Sequence, residues 1–428
     1  MRQLASDAHS GIIAAGVYWE FCEAMSDRDP GLTPSFAAQR QQMARETQRR
    51  MVELVAAKAT DLAAGPMALP KGVYTDEVRF AAEREKLFLG EPVVAGLSGD
   101  IPNPGDVLVF DAAGPSLLVI RGKDGQVRAF RNMCTHRGAQ LVEQREPYSA
   151  HLPRLVCPFH AWTFDPAGQL VGQPSKASFA GCEIGARNLL AVPCAEYLGL
   201  IFVRAGGGDP IDAAAHLGEL APVFEALELH RAEPVKKGIL TAESNWKFAL
   251  DTYSEGYHFA ALHASTIGIT HFNDVARVDP FGRHHRVGFP DKSYAGLPDL
   301  PESEWPQVDY GGVHYLFPNT VIFFGSIEPG KFFTQLFRLF PDGVGKTRCH
   351  FAVYAPFGIE SEAQRAMCEM AYDGTATVVQ TEDYRVASTG YTNLLTAPDD
   401  YHVVLGANEN AVQKVHRHIA EAIGMPLN

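Results

Sequence analysis

Two short stretches of the sequence each pair a cysteine with a histidine. Cys134 and His136 lie in "CTHRGAQL", and Cys157 and His160 lie in "CPFHAWTFD". Thiolate and imidazole groups are ligands of zinc and of iron–sulfur clusters. Structural zinc sites usually place two cysteines on one turn and two histidines on another, whereas here each turn supplies one of each. The spacing therefore favours a [2Fe–2S] cluster with mixed ligands over zinc.

A second pair of metal-binding side chains lies in the other half of the chain. His258 and His263 are five residues apart in "NWKFALDTYSEGYHFAALH". They lie more than one helical turn apart, so both can reach one metal ion where the helix distorts or ends. Two imidazoles and one carboxylate on one face of Fe(II) leave positions open for dioxygen. The pair therefore indicates a candidate oxygen-activating iron site.

The flanking residues of these motifs resemble those of a known family. The segments "RNMCTHRGAQL" and "CPFHAWTFDPAGQL", and N-W-K followed by E-x-x-H-x4-H, are similar to the α (large, catalytic) subunits of Rieske non-haem iron aromatic-ring-hydroxylating oxygenases. Ala139 and Phe159 stand where respiratory-chain Rieske subunits carry additional cysteines. The resemblance covers the chain from about residue 75 to the C-terminus.

The resemblance implies a ligand set for each of two cofactors, a Rieske [2Fe–2S] cluster and a mononuclear Fe(II). The cluster ligands are Cys134, His136, Cys157 and His160. The iron ligands are His258, His263 and Asp383. In the family the third iron ligand comes from a late helix, and the acidic pair in "VVQTEDYRVASTGY" fits that position. Glu382 and Asp373 are the alternatives to Asp383.

Two acidic residues before the iron histidines, Glu255 and Asp251, form the candidate catalytic set. Many family members carry aspartate at the position of Glu255, and that carboxylate links a cluster histidine of one subunit to an iron histidine of the next. The resemblance thus implies an electron path from His160 through Glu255 of the partner subunit to His258. Glutamate occurs there in a minority of members, including some that act on quaternary amines, so the substrate subgroup stays open. The alternative for Asp251 is a hydrogen bond to nearby backbone.

The elements around these motifs differ along the chain. Apolar residues keep helical spacing from about residue 35 to 64, where Gly65 and Pro66 end the predicted helix. Short β-rich runs separated by Gly, Pro and Asp turns follow from about 90 to 205 and contain both cysteine–histidine turns. From about residue 238, a helix through "NWKFALDTYSEGYHFAALHAST", several strands and terminal helices predict an α+β domain around an antiparallel sheet.

The predicted fold class is therefore α+β. The resemblance implies an all-β Rieske [2Fe–2S] domain inserted in a helix-grip (START-like) catalytic domain with an antiparallel sheet. We divide the chain into an N-terminal helical extension at 1–75, the Rieske domain at 76–207 and the mononuclear iron domain at 208–428.

The composition of the chain limits the classes of molecule that it can bind. The chain has 428 residues, 46% of them hydrophobic, and a formal net charge of −13, which argues against nucleic acid and anionic membranes as partners. No apolar run is long enough to span a bilayer, and the N-terminus lacks signal-peptide character, so we expect a cytoplasmic protein. The seven cysteines are expected to be reduced. Outside the motifs we expect packed free thiols at Cys22, Cys182, Cys194, Cys349 and Cys368.

The resemblance implies the terminal oxygenase component of a multicomponent system. It would use O2 and electrons from a separate NAD(P)H-dependent reductase, with or without a ferredoxin, to hydroxylate (by mono- or cis-dihydroxylation) or oxidatively demethylate a small organic substrate. A homotrimer is implied, with or without a β subunit. The sequence shows no nucleotide-binding glycine fingerprint and no second ferredoxin motif, which agrees with a separate reductase.

Three other interpretations stay open at this point. They are a Rieske-type electron carrier without oxygenase activity, a zinc-stabilised binding protein, and a quaternary-amine monooxygenase of the same family. Aromatic residues expected near the iron would suit an aromatic or hydrophobic substrate, as in aromatic hydrocarbon catabolism, and the alternative for them is ordinary core packing; they are Phe259, Phe323, Phe324 and Phe337. The remaining histidines are expected to be ordinary core or surface residues, namely His271, His284, His285, His314 and His350.

Overall fold

The computed structural model describes residues 35–181, 187–328 and 331–427. Residues 1–34 of the predicted N-terminal extension, which include Cys22, lie outside these ranges, and so does Cys182. The helices run in chain order as α1 Phe36–Ala57, α2 Gly72–Thr75, α3 Glu77–Glu83, α4 Ala213–Leu217, α5 Ala221–Leu227, α6 Trp246–Asp251, α7 Ile267–Thr270, α8 Glu362–Val378, α9 Tyr384–Thr396 and α10 Asn410–Ile423. None of the described helices is long and apolar enough to cross a bilayer.

The strands fall into two groups along the chain, those before α4 and those after α5. They are β1 Met67–Pro70, β2 Val93–Leu97, β3 Asp106–Phe110, β4 Leu117–Arg121, β5 Val127–Arg131, β6 Tyr148–His151, β7 Leu155–Val156, β8 Thr163–Phe164, β9 Leu170–Gly172, β10 Ala191–Val192, β11 Cys194–Tyr197 and β12 Leu200–Val203. The later ones are β13 Glu233–Ala242, β14 Arg277–Phe281, β15 His284–Gly288, β16 Gly312–Leu316, β17 Thr320–Glu328, β18 Lys331–Pro341, β19 Thr347–Ala355 and β20 His402–Leu405.

The first helix ends earlier than predicted. Ser35 caps its N-terminus, as its side chain accepts a hydrogen bond from Ala38 N, but the helix stops at Ala57 rather than near Gly65. Lys58 adopts a left-handed backbone conformation. Asp61 then binds the catalytic domain, where its carboxylate accepts from Val278 N at 3.0 Å. Tertiary hydrogen bonds therefore end the helix before its amphipathic pattern does.

Strands β2 to β12 form the predicted small all-β domain. They make a five-stranded sheet in the order β10-β5-β4-β3-β6 and two three-stranded sheets, β11-β12-β2 and β7-β8-β9. All pairings are antiparallel. The central strands β3 and β4 are almost wholly buried, which agrees with their near-continuous apolar sequences.

The second domain is built on a seven-stranded antiparallel sheet in the order β13-β19-β18-β17-β16-β15-β14. Helix α8 packs against β13, β18 and β19. Strand β1, which precedes the all-β domain in sequence, pairs with β20 near the other end of the chain. The all-β domain is therefore inserted into the α+β domain, and the predicted fold class is confirmed.

A buried ionic contact joins the two domains. Glu146, in the loop before β6, lies 2.6 Å from Arg338 Nη2 on β18 and 3.2 Å from His350 Nδ1 on β19. All three side chains are nearly inaccessible to solvent. Since a buried charge is stable only with a partner, this contact fixes the smaller domain on the seven-stranded sheet.

Candidate active site

Two tight turns hold the first cysteine and histidine pairs. Cys134 N donates to Ala139 O at 2.7 Å after β5, and Cys157 N donates to Trp162 O at 2.8 Å between β7 and β8. Both cysteine side chains are free thiols and almost fully buried. Burial also raises the pKa of the Cys134 thiol above its usual value. The two turns thus hold both thiols within one buried cluster of the all-β domain.

The two histidines of these turns lie side by side. The ring centroids of His136 and His160 are 4.7 Å apart, and His136 stacks on Trp162 at 4.7 Å with an angle of 9° between the rings. Burial, followed by the positive charges of neighbouring groups including Arg137, lowers the pKa of His136 and favours the neutral imidazole that a metal needs. The Nδ1 atoms of both histidines are buried without a hydrogen-bond partner. These orphaned atoms beside two buried thiols fit a Rieske cluster.

Helix α6 directly precedes the residues of the second site in the sequence. Asn245 caps it by accepting from Lys247 N at 3.0 Å. The buried Trp246 and Lys247 both bind Glu83, with Trp246 Nε1 at 2.8 Å and Lys247 Nζ at 2.5 Å from its carboxylate oxygens. The N-W-K segment therefore has a structural role, because it anchors the helix to the end of α3.

The prediction of a helix continuing through residue 266 is wrong, since α6 ends at Asp251. Glu255 explains part of the change because its carboxylate accepts hydrogen bonds from the backbone N–H groups of Tyr257 and, at 3.3 Å, of His258. Side-chain acceptors of this kind compete with the helical hydrogen-bond ladder. The two iron-site histidines consequently lie on turns, where both can face the same point.

Asp251 has side-chain partners rather than the backbone partner considered above. Its carboxylate accepts from Tyr74 Oη at 2.7 Å and lies 3.0 Å from His416 Nε2. These contacts join α6 to α2 and α10. The side chain does not line the cavity described below, so the geometry supports a positioning role and not the predicted catalytic one.

The structure brings His258, His263 and Asp383 together. One potential ligand atom from each lies within 4.8 Å of the others. Among the described residues, no other three His, Cys, Asp or Glu side chains bring their ligand atoms this close together. Asp383 Oδ1 is 3.6 Å from His258 Nε2 and 3.3 Å from His263 Nε2. Asp383 lies on a π-helical turn, Val379–Asp383, between α8 and α9. The donor set fits a non-haem Fe(II).

The opposite ring nitrogens of both histidines face carboxylates. His258 Nδ1 contacts Glu255 Oε1, and His263 Nδ1 lies 2.5 Å from Glu382 Oε2. An imidazole that offers Nε2 to a metal keeps its proton on Nδ1, and a carboxylate that accepts this proton fixes the ring. Glu382 is therefore placed to support a ligand, whereas Asp383 faces both Nε2 atoms.

The charge around His263 suits a cation. Burial acts to lower the pKa of His263, but hydrogen bonds and charges of Asp383 and Glu382 outweigh it and raise the pKa above its usual value. Asp373, the other alternative ligand, is turned outward and forms an ion pair with Lys236 at 2.6 Å. A site that favours a proton between carboxylates also favours a divalent metal ion.

A cavity of about 410 Å³ adjoins this group. Glu255, His258, His263 and Asp383 form one part of its wall. Most of the remaining wall is aromatic or aliphatic, with Phe259, Phe289, Phe323, Phe337, Val313, Val321, Ile267, Met370, Val378 and Val379. None of the described residues lining it is lysine or arginine. The cavity is suited to a small, largely apolar molecule.

Three of the four aromatic residues predicted near the iron line this cavity, and Phe324 does not. Successive side chains of a strand point to opposite faces, so on β17 Phe323 faces the cavity while Phe324 packs in the core behind the sheet. Of the histidines expected to be ordinary, His284, His285, His314 and His350 are buried. His271 lines the cavity, which the sequence analysis did not anticipate.

Comparisons with known proteins agree with this arrangement. A family model for the Rieske [2Fe-2S] domain matches residues 91–193, and one for the ring hydroxylating alpha subunit (catalytic domain) matches residues 224–425. The chain thus carries both defining parts of the Rieske oxygenases. It belongs to that family as an α, or oxygenase, subunit, which confirms the resemblance and both expected cofactors.

Several curated relatives are similar to the chain. The glycine betaine monooxygenase oxygenase subunit of Pseudomonas aeruginosa is 30% identical over 203 residues, which are 46% of this chain and 44% of that protein. The carnitine monooxygenase oxygenase subunit of Escherichia coli K12 is 26% identical over 329 residues, 75% of this chain and 82% of that protein. The 2-aminobenzenesulfonate 2,3-dioxygenase subunit alpha of an Alcaligenes species is 28% identical over 375 residues, 76% and 87% respectively. The match thus spans less than half the length of the glycine betaine relative.

Solved structures share the fold. A quaternary ammonium Rieske monooxygenase in complex with L-carnitine superposes with a TM-score of 0.70 at 20% identity, covering 85% of this chain and 96% of that one. Naphthalene 1,2-dioxygenase from a Rhodococcus species, bound to indole, gives 0.62 at 18% identity, with 88% and 98% covered. At these identities the likeness concerns the fold.

Trp162 and Glu382 also contribute to the site, in ways that the spacing of the motifs does not predict. Trp162, which stacks on His136, lies within the second cysteine–histidine motif, but nothing in the spacing showed the stacking. Glu382, weighed above as an alternative metal ligand, lies 2.5 Å from His263 Nδ1. The adjacent acidic pair was the available signal, since neighbouring residues on a helix point in different directions.

Proposed function

We propose that the protein is the terminal oxygenase component of a multicomponent Rieske oxygenase that hydroxylates, or oxidatively demethylates, a small hydrophobic or aromatic substrate. The observation that carries this proposal is the apolar cavity with His258, His263 and Asp383 in its wall. A carrier of electrons alone has no need of such a cavity beside a second metal-binding group.

Two ligand sets are proposed with this function. Cys134, His136, Cys157 and His160 would hold the cluster, and His258, His263 and Asp383 would hold Fe(II). Iron bound there supplies dioxygen activation next to the cavity. The chain's own residues bind and orient the substrate in an apolar space, and Glu255 and Glu382 fix the two imidazoles.

The substrate class follows from the cavity wall. Glycine betaine and carnitine each carry a carboxylate, and the described lining residues include no lysine or arginine to pair with one. A quaternary ammonium group could still contact aromatic rings such as Phe259. The quaternary-amine alternative is favoured by the named relatives, whereas the largely apolar wall, without lysine or arginine among the described lining residues, favours a neutral aromatic or aliphatic molecule over one with a carboxylate.

The assembly and partners belong to the same proposal. The chain would form a homotrimer and receive electrons from a separate reductase in the cytoplasm, with a ferredoxin or a β subunit as further possible components. Exposed aromatic side chains lie beside both ends of the expected inter-subunit path, Phe159 next to His160 and Tyr257 next to Glu255. Such residues are common in protein interfaces. The division at 1–75, 76–207 and 208–428 stays a prediction.

Oxygen consumption tests the proposed function. The purified protein, a surrogate reductase and NADH would be mixed with a panel that includes naphthalene, substituted benzenes, glycine betaine and L-carnitine. We expect substrate-dependent oxygen uptake and a hydroxylated or demethylated product with neutral apolar compounds. Turnover of the betaines alone would select the quaternary-amine alternative. A reduced cluster that persists in oxygen with every compound would select the electron carrier.

A further inference from the structure

One polar side chain interrupts the apolar wall of the cavity. Gln335 lies on β18, with Phe337 two residues later on the same face, and it is 3% exposed. A glutamine amide buried among aromatic residues is costly unless its donors and its acceptor are all matched. Its presence beside the cavity therefore calls for a partner of each kind.

The donors of this amide already have partners. Gln335 Nε2 donates to Thr375 Oγ1 at 2.8 Å and lies 3.4 Å from Ala371 O, both on α8. The Ala371 carbonyl can only accept, so the nitrogen and not the oxygen must face α8. The amide orientation is thus fixed by the backbone of the neighbouring helix.

The acceptor of this amide has no partner in the part of the protein that the structure describes. Among the described residues no donor is hydrogen-bonded to Gln335 Oε1, and the residue lines the cavity. Thr375 also lines it, and its own hydroxyl proton is not used by the bond from Gln335. The pair therefore offers an acceptor, and beside it a hydroxyl, to whatever occupies the space.

The position of the pair relative to the metal group is given by the helix. Thr375 precedes Asp383 by eight residues along α8 and its π-helical continuation, which is about 12 Å at the usual helical rise. Met370, one turn further from Asp383, is 68% exposed and marks the open side of the cavity. A molecule in the cavity would thus have its far end at Gln335 and its near end by the histidines.

We propose that Gln335, held by Thr375, determines specificity by accepting a hydrogen bond from a neutral donor on the substrate, a hydroxyl, amine or amide N–H. The donor lies on the end of the molecule away from the position that is oxidised, and the body between is apolar. This inference rests on the proposed function for the role of the other end. It disfavours a carboxylate at the far end, because an anion would face the amide oxygen and no lysine or arginine is among the described lining residues.

Binding of matched probes tests the inference without turnover. Calorimetry on the oxidised holoenzyme would compare 2-naphthol with 2-methylnaphthalene, which replaces the hydroxyl by a methyl group of similar size, and with 2-methoxynaphthalene, which can only accept. We expect the wild-type protein to bind 2-naphthol about 5-fold more tightly than either analogue. Gln335→Met should remove this preference, and Thr375→Val should reduce it because the amide is held less firmly.

Two controls keep the outcome clear. Gln364→Met makes the same substitution near the start of α8, outside the cavity lining, and should keep the full preference. If Gln335→Met does not fold, Thr375→Val and the wild-type comparison decide. Equal affinities in the wild type, or an unchanged preference in a folded Gln335→Met, would overturn the inference. A preference for 2-naphthol without oxygen uptake by any compound would support the role of Gln335 and reject the proposed oxygenase function. Oxygen uptake without a preference for 2-naphthol would support the oxygenase function and reject the role of Gln335.

Discussion

At the scale of single residues, the division of labour between two adjacent acids decides the iron site. Asp383 faces the Nε2 atoms of His258 and His263, while Glu382 faces His263 Nδ1 from the other side. Sequence spacing alone could not separate them, because neither the direction of each side chain nor the π-helical turn that sets it is visible in the pattern.

Substitution of Asp383 and of Glu382 should therefore have different effects on iron binding. Asp383→Ala should remove the mononuclear iron while leaving the cluster spectrum intact, since it deletes a proposed ligand that lies outside the all-β domain. Glu382→Gln should retain iron with an affinity about 10- to 100-fold lower, because the histidine loses its carboxylate partner. Iron per chain, titrated against a chelator, is the measurement. Asp373→Asn on α8 is the control, and loss of iron from Glu382→Gln alone would exchange the two roles.

At the scale of elements, a buried ionic contact holds the all-β domain on the catalytic sheet. Burial alone would raise the pKa of Glu146, but Arg338 and His350 outweigh it and lower the pKa from 4.5 to about 2. Glu146 thus binds a proton less readily in the folded protein than in the unfolded chain. The contribution of Glu146 to the free energy of unfolding is fully present above about pH 4.5 and is lost as the pH falls towards 2.

Replacement of Glu146 by glutamine should expose this contribution. The variant leaves Arg338 buried without its counter-charge, so we expect the free energy of unfolding to fall by about 3 kcal/mol at pH 7. Calorimetric unfolding from pH 7 to 3 should show a weaker pH dependence than the wild type. Glu243→Gln, at a side chain that is 72% exposed, is the surface control. A wild-type unfolding temperature in Glu146→Gln would contradict the anchoring role.

At the scale of the whole molecule, the predictable parts were those specified by local spacing. The C-x-H and C-x2-H turns and the E-x-x-H-x4-H segment bring their side chains together within a few residues, so the sequence identified them. The early end of α6 depends on what Glu255 binds, and the orientation of Phe324 depends on strand register. The acceptor at Gln335 is visible only once β18 and α8 are packed together, because Ala371 and Thr375 are distant in sequence.

The assembly prediction concerns Glu255. One carboxylate oxygen contacts His258 Nδ1, and in a trimer the same group would also reach His160 of the partner subunit. Glu255→Gln keeps the shape but loses the charge and an acceptor. We expect a variant that trimerises, is reduced normally and, when loaded with excess iron to offset the weaker support of His258, holds both metals, but whose cluster is not reoxidised in single-turnover stopped-flow with substrate and oxygen. Reoxidation at the wild-type rate would show that electrons take another path.

The most direct test of the two-site account is the metal content of the wild type beside His263→Ala. We predict about three iron atoms and about two acid-labile sulfides per chain in the wild type, and about two of each in the variant with an unchanged cluster spectrum. Equal iron in the two proteins, or zinc without sulfide in the wild type, would contradict the account.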